Sequence, residues 1–483
     1  MTVVRQVTVI GIGVFGLCCS PEATVSKGTD AKKVESKEPK AAEPKGTAPG
    51  AVRPGTAPGV QAACNGAFSD GTAVNVANPV FLADVPGTQQ FCDFHTFAWN
   101  QFLYFTGGDS PQFLAMAPWY NLLQPAGSAA PSAYPGGSTE LQGGKLDKQQ
   151  AGDADQLLDV SGAPALYDIR VNQTYYDSLV AQNLYTYALY AAACKPDSHG
   201  SCTQLLWLPP NATTTAPSVE IKTAWRDFRT PASCPADTYF CVGRLALVGL
   251  HLVQKTATHG EWIWGSFEHV GNAPDCAPGS DTPIAPSSPL GTPWSFFDPG
   301  TVPASVMSSK TCPVTGTPLC NTDPHSGSGF KPVNICRTAP LPAGGASPDN
   351  CAVKTGAGLP NDQANNPGNV ACLNATIQPQ RTGVWRNYKL IGSLWTRGTM
   401  APTQDFRVKG FQGDQPPLPF VEPVGFPNLA NTTMETFLQS GPGAGCFACH
   451  NLPSIATSKF SQLDLSHVVT KFDELGAPRV KAM

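Results

Sequence analysis

Near the C-terminal end of the chain stand Cys446-Phe447-Ala448-Cys449-His450. Two thiols separated by two residues, with a histidine directly after the second, have the spacing that covalent haem attachment requires. Each thiol adds to one porphyrin vinyl group, and the adjacent imidazole then lies under the iron as its proximal ligand. The motif occurs once, so the expected cofactor is one haem c per chain, held by Cys446 and Cys449 with His450 on the iron. Two other readings compete. A zinc site would need two further ligands at short spacing, and His467 is the only histidine or cysteine that follows. A redox disulfide of the thioredoxin type would need a βαβ setting, and no such pattern surrounds the motif.

A low-spin electron carrier needs a second axial ligand, usually Met or His. Met434 is the first candidate for this distal place, because its segment directly precedes the motif. A buried core methionine is the rival reading of the same residue. His467, His95, Met400 and the hairpin histidines His251, His259 and His269 are further candidates, and an open site is another outcome. The one methionine downstream is Met483, the last residue, and a chain end is a poor place for a ligand. Upstream sequence is therefore expected to enclose the haem. His251, His259 and His269 offer, with Glu268, a candidate catalytic or metal-binding group. They are equally readable as satisfied core or surface residues.

Several elements must position these residues. The aromatic-rich stretch Phe91 to Thr106 predicts a buried helix. Tyr167 to Tyr190 has helical lengths of apolar residues, and Val219 to Phe228 is of uncertain type. Arg244 to Lys255 and Glu261 to Val270 predict two strands joined by the Gly-ended turn 256–260, a hairpin. Trp262 and Trp264 would share one face of the second strand, with Phe267 and His269 on the other. Val384 to Trp395 has the pattern of another buried element. Thr432 and Glu435 have capping-box spacing, which predicts a helix starting near Thr433 and broken by Gly441 to Gly445 before the haem motif.

Five stretches resemble a group of exported bacterial proteins known as cytochrome c family proteins: GLHLVQKT (249–256), EWIWGSFEHVGNAP (261–274), WRNYKLIGSLW (385–395), NTTMETF (431–437) and CFACH (446–450). The resemblance spans roughly residues 90–270 and 380–470. It implies haem c and electron transfer, and no particular substrate. His467 departs from the aromatic or apolar residue expected near that position.

The remaining sequence bounds the setting. Val7 to Leu17 is an apolar run of eleven residues after a single positive charge, Arg5. It is too short to span a bilayer and fits a secretion signal. Cys18-Cys19 follows, so residues 1–19 are read as a signal peptide, of lipoprotein type if a lipid is attached. Residues 20–63 contain no aromatic residue and read as a flexible Lys/Ala/Pro/Gly tether. The expected fold is α+β: one large irregular domain, 64–483, rich in loops and disulfides, with a C-terminal helix–loop carrying the haem motif. Within it, 274–380 holds eighteen prolines and six cysteines and reads as a loop region fixed by cross-links.

Net charge is −4, which excludes a nucleic-acid-binding footprint. No other apolar run is long enough for a membrane span. Sixteen cysteines point to an oxidising compartment. Setting aside Cys18, Cys19, Cys446 and Cys449 leaves twelve. Neighbour-favouring pairs are Cys194–Cys202, Cys234–Cys241, Cys312–Cys320 and Cys336–Cys351, with Cys64–Cys92 and Cys276–Cys372 remaining. The expected molecule is an exported mono-haem electron carrier with a redox partner protein, periplasmic or anchored by lipid to the outer membrane. A haem peroxidase or oxidase with an open distal site, and a non-redox haem-binding sensor, are the alternatives.

Overall fold

A computed structural model describes residues from Cys64 to Leu475, with internal stretches left out, the longest being 194–207, 300–319, 342–365, 398–406, 409–419 and 451–465. Contacts divide the chain into two units, 1–60 and 61–483. The signal and tether expectations therefore lie outside the described residues, as do Cys449 and the pair Cys194–Cys202.

The first long element is helix α1, Phe91–Thr106. Asp93 anchors its start by accepting from the Gln90 backbone at 2.9 Å and from the Ser69 amide and hydroxyl at 2.6 and 2.7 Å. Fourteen of its sixteen residues are buried. A helix apolar on nearly every side must be covered on every side.

The chain then runs through β1 (Ala117–Pro118), α2 (Trp119–Leu122), β2 (Leu166–Val171), α3 (Gln173–Ala181), α4 (Tyr187–Ala193), β3 (Val219–Asp227), β4 (Cys241–Val242), β5 (Leu245–Gln254) and β6 (Ile263–His269). After these come β7 (Cys320–Thr322), β8 (Phe330–Pro332), α5 (Asn366–Ile377), β9 (Tyr388–Thr396), β10 (Arg407–Val408), β11 (Phe420–Val421) and β12 (Pro423–Gly425). Eight strands form one sheet in the order β1-β2-β3-β5-β6-β9-β12, with β4 paired to β5. Every pairing in that sheet is antiparallel. Helices packed on an antiparallel sheet make this an α+β fold.

The predicted hairpin forms as β5 and β6, with His251 opposite Ser266 and Val253 opposite Trp264. The segment 167–190 differs from its helical reading, because its first part is strand β2 and helices begin only at Gln173. Asp168 and Arg170 pair inside β2 at 2.6 Å, both buried. A strand covered on both faces lacks the alternation that marks strands in sequence.

The two sheet faces carry different cores. Helices α1 and α5 cover one face, where Trp99, Phe102, Leu250, Leu252, Phe267 and Leu390 pack together. Gly265 makes this approach possible, since a Cβ there would lie 2.9 Å from the Ala98 Cβ. The opposite face presents Ile169, Val171, Val253, Trp262, Trp264 and Leu394, packed against Tyr175, Cys446, Val468 and Phe472.

Three disulfides join described residues: Cys64–Cys92, Cys234–Cys241 and Cys276–Cys336. The first two follow the neighbour rule. The third corrects two expected pairs, Cys276–Cys372 and Cys336–Cys351. Backbone bonds from Cys276 to the Arg337 carbonyl and from Arg337 to the Pro274 carbonyl, each 2.9 Å, bring 276 and 336 side by side. Cys372 is disulfide-bonded as well. No helix among the described residues is long and apolar enough to cross a membrane.

Candidate cofactor site

The C-terminal segment reaches the sheet through a turn at 431–436 and not through the expected helix. Thr432 does not cap a helix; its hydroxyl and amide both donate to Glu268 on β6, at 2.9 and 3.1 Å. Asn431 takes the organising place. Its side-chain oxygen accepts from the Thr433 amide and hydroxyl, and its amide group donates to the Phe267 carbonyl at 2.9 Å. Tyr167 donates to the Thr433 carbonyl at 2.7 Å. Gly249 on β5 lets this turn lie flat on the sheet, because a Cβ there would collide with the Thr433 hydroxyl.

Glu268 also pairs with Arg337, whose Nε lies 3.3 Å from Asp275. One buried carboxylate thus links β6, the 431–436 turn and the proline-rich region. Burial pulls the Arg337 guanidinium down to about 9. Burial and then the nearby Arg337 bring Lys389 down to about 7.

Beyond the turn, Cys446 is buried in the core of Trp262, Trp264, Leu394 and Leu429. The His450 ring packs edge-on against Trp264 with centroids 4.4 Å apart. Trp264 Nε1 is buried and bonds to no described residue. Trp262 stacks on Tyr175 at 6.3 Å. Cys446 and His450 therefore rest on one wall, formed by Trp262 and by Trp264 of β6.

Beside that wall the same face turns polar. Cross-strand register sets Glu220, Val253, Trp264 and Leu394 in one row, and Lys222, His251, Ser266 and Gly392 in the next. His251 Nε2 lies 3.1 Å from Glu435, whose carboxylate also accepts from the Asn431 amide at 2.9 Å. Burial alone would raise the Glu435 carboxyl; His251 and Lys222 beside it hold it below its ordinary value. The Lys222 ammonium lies 5.5 Å over the Tyr167 ring, with no hydrogen bond or ion pair to a described residue. Burial lowers it. Glu220 meets the Ser466 hydroxyl, to which Tyr175 also donates at 2.7 Å. Burial pushes the Glu220 carboxyl up to about 7, against the pull of the Ser466 bond and Lys222.

Met434, the expected distal ligand, lies in another core. It is fully buried among Tyr167, Ala246, Val248, Tyr239 and Phe296, a set that shares no member with the cluster around Cys446. His95 is on α1, bonded at 3.0 Å to Asn366 of α5, and burial takes it down to about 4. The side chain of His467 and the whole of Met400 lie outside the described residues. The three hairpin histidines do not converge: His251 meets Glu435, His259 meets Glu261 at 2.7 Å, and His269 meets the Thr238 carbonyl at 2.8 Å. Among the described residues, no group of three or more His, Cys, Asp or Glu side chains could hold a metal ion.

Sequence reasoning passed over Glu220 and Lys222. Charged residues alternating with apolar ones at 219–222 were the available signal, and the segment's uncertain type concealed it. No family model, curated protein or solved structure matches this chain.

Proposed function

We propose that the chain is an exported mono-haem c-type cytochrome whose covalently held haem transfers electrons to a partner protein. The observation that carries this reading is the C-x-x-C-H motif, together with the setting of its two described members. Cys446 is buried against Trp262 and Trp264, and His450 rests on Trp264. The surroundings suit a porphyrin. They give a flat apolar wall, an indole N–H that bonds to no described residue and, one row away, an ammonium that makes no hydrogen bond or ion pair with a described residue. Cys446 and Cys449 would hold the group, His450 would bind its iron, and Lys222 would neutralise a carboxylate on its rim. Haem c supplies one-electron chemistry when bound. The chain's own part is to fix the His450 ring with Trp264 and to keep water from it with Trp262, Leu394 and Phe472.

Export is supported by the apolar run 7–17 and by disulfides, which persist in oxidising compartments. The localisation we favour is periplasmic or outer-membrane lipoprotein. The resemblance to exported cytochrome c family proteins agrees with this reading.

Haem-enzyme chemistry at an open distal position is the second reading, and one observation favours it. Met434 packs in a core separate from Cys446, while His251, Glu435, Lys222 and Glu220 gather on the motif's own face. A redox titration with optical spectra tests both readings. A low-spin ferric spectrum unmoved by cyanide is expected of a carrier; a high-spin, cyanide-binding one would move the assignment to an enzyme. Changing both Cys446 and Cys449 to Ala should abolish haem that survives denaturation, and haem retained in that double variant would end the cytochrome reading.

A further inference from the structure

On the sheet face opposite Cys446, a cavity of about 240 Å³ opens between the start of α1 and the end of β9. Phe91, Phe94, Trp395 and Val424 form its apolar wall, and His259 lines it. Trp395 follows Leu394 on β9, and alternation along the strand turns it away from the Cys446 core. This space is therefore separate from the candidate haem site.

His259 is held there in a defined way. It is 2% exposed. Its Nδ1 lies 2.7 Å from the Glu261 carboxylate, and Phe94 packs edge-on against its ring at 4.9 Å. Glu261 is itself fixed, accepting from the Thr396 hydroxyl at 2.8 Å. With a carboxylate on Nδ1, the neutral imidazole carries its proton on that nitrogen and offers Nε2 as an acceptor. No described residue bonds to Nε2.

The other polar groups around the cavity are largely committed. The Gln89 amide donates to the Thr258 hydroxyl at 2.7 Å, Thr88 donates to Ser69 through both amide and hydroxyl, and Arg397 pairs with Glu422 at 2.8 Å. Charges are matched in pairs, so the cavity does not call for an ion. Among these groups His259 Nε2 is an acceptor with no bond to a described residue, beside an aromatic wall. An engineered apolar cavity of about 150 Å³ holds benzene, so this space accepts a single substituted ring.

We propose that this cavity is a binding site for a small neutral aromatic alcohol, a phenol, whose hydroxyl donates to His259 Nε2 while its ring packs on Phe94 and Trp395. A site built around one acceptor should discriminate strongly against a ring that lacks the donor. Phenol and toluene, of nearly equal size, are the probes, titrated against the full-length protein by calorimetry and by ¹⁵N shifts of the histidine ring nitrogens. Saturable phenol binding at least ~10-fold tighter than toluene, on the scale of one hydrogen bond, is expected, with one histidine Nε2 resonance moving. His259→Leu should bring the two probes to equal affinity. Should that variant misfold, the wild-type comparison still decides. No saturable phenol binding, equal binding of toluene, or discrimination that persists in His259→Leu would each overturn the proposal.

Discussion

Met434 and Glu220 show how one residue type can carry two opposite readings. A methionine just before a haem motif looks like a ligand; here the side chain is fully buried among Tyr167, Tyr239 and Phe296. Met434→Ala is therefore expected to cost about 2–5 kcal/mol in urea unfolding, the usual range for a buried methionine, and, on the proposed cytochrome reading, to leave the haem absorption bands in place. Loss of a sulfur-ligand band, or new carbon monoxide binding, would return Met434 to the iron. Glu220 yields a pH signature. Its folded value of about 7 lies above the ordinary carboxylate value of 4.5, so the native state holds the proton more tightly. The stability this gives is complete below the unfolded value and is lost as pH rises through about 7. Across that window the wild type should lose about 3 kcal/mol relative to Glu220→Gln. Parallel stability–pH curves for the two proteins would refute it.

At the scale of elements, what the sequence revealed depended on local repetition. Helix α1 and the β5–β6 hairpin were legible because aromatic density and apolar runs bounded by a Gly-ended turn act within a dozen residues. The 431–436 turn was not. Thr432 and Glu435 have the spacing of a helix cap, and only the sheet reveals that their partners are Glu268 and His251, more than 150 positions away. Strand β2 escaped for a related reason, since its polar members Asp168 and Arg170 satisfy each other inside the fold. The docking of the turn depends on Gly249. Gly249→Ala should force the Asn431–Thr433 loop off the sheet and destabilise the protein by about 1–3 kcal/mol, as overpacking does. Greater protease sensitivity between Asn431 and His450 is expected with it; a variant as stable and as resistant as wild type would show that the loop yields without cost.

For the whole molecule, an antiparallel sheet of mostly sequential neighbours has its longest interruption between β6 and β9, and that interruption contains the proline-rich region. The Glu268–Arg337 pair ties that region back to the sheet, and Cys276–Cys336 closes a loop within it. Cysteine count and oxidising context were readable from sequence, but the Cys276–Cys336 pairing was not, because a backbone crossing selects it and neighbour spacing does not. Closing a loop of that length contributes about 4 kcal/mol in the chain-entropy account, so replacing both cysteines by Ser should lower stability by about that amount. Peptide mapping of the unreduced protein should recover the 276–336 link; a 276–372 link in its place would refute the pairing.

The burial of Cys446 also bears on the order of events during biosynthesis. Its sulfur lies inside the same core that Trp262, Leu429 and Phe472 complete, so the finished fold hides the thiol from any incoming reagent. On the cytochrome reading, thioether formation must precede closure of the C-terminal segment. The rest of the sheet can assemble first, leaving the last strand and the turn open as a waiting station. On that reading, a chain that closes empty hides Cys446 and can no longer mature.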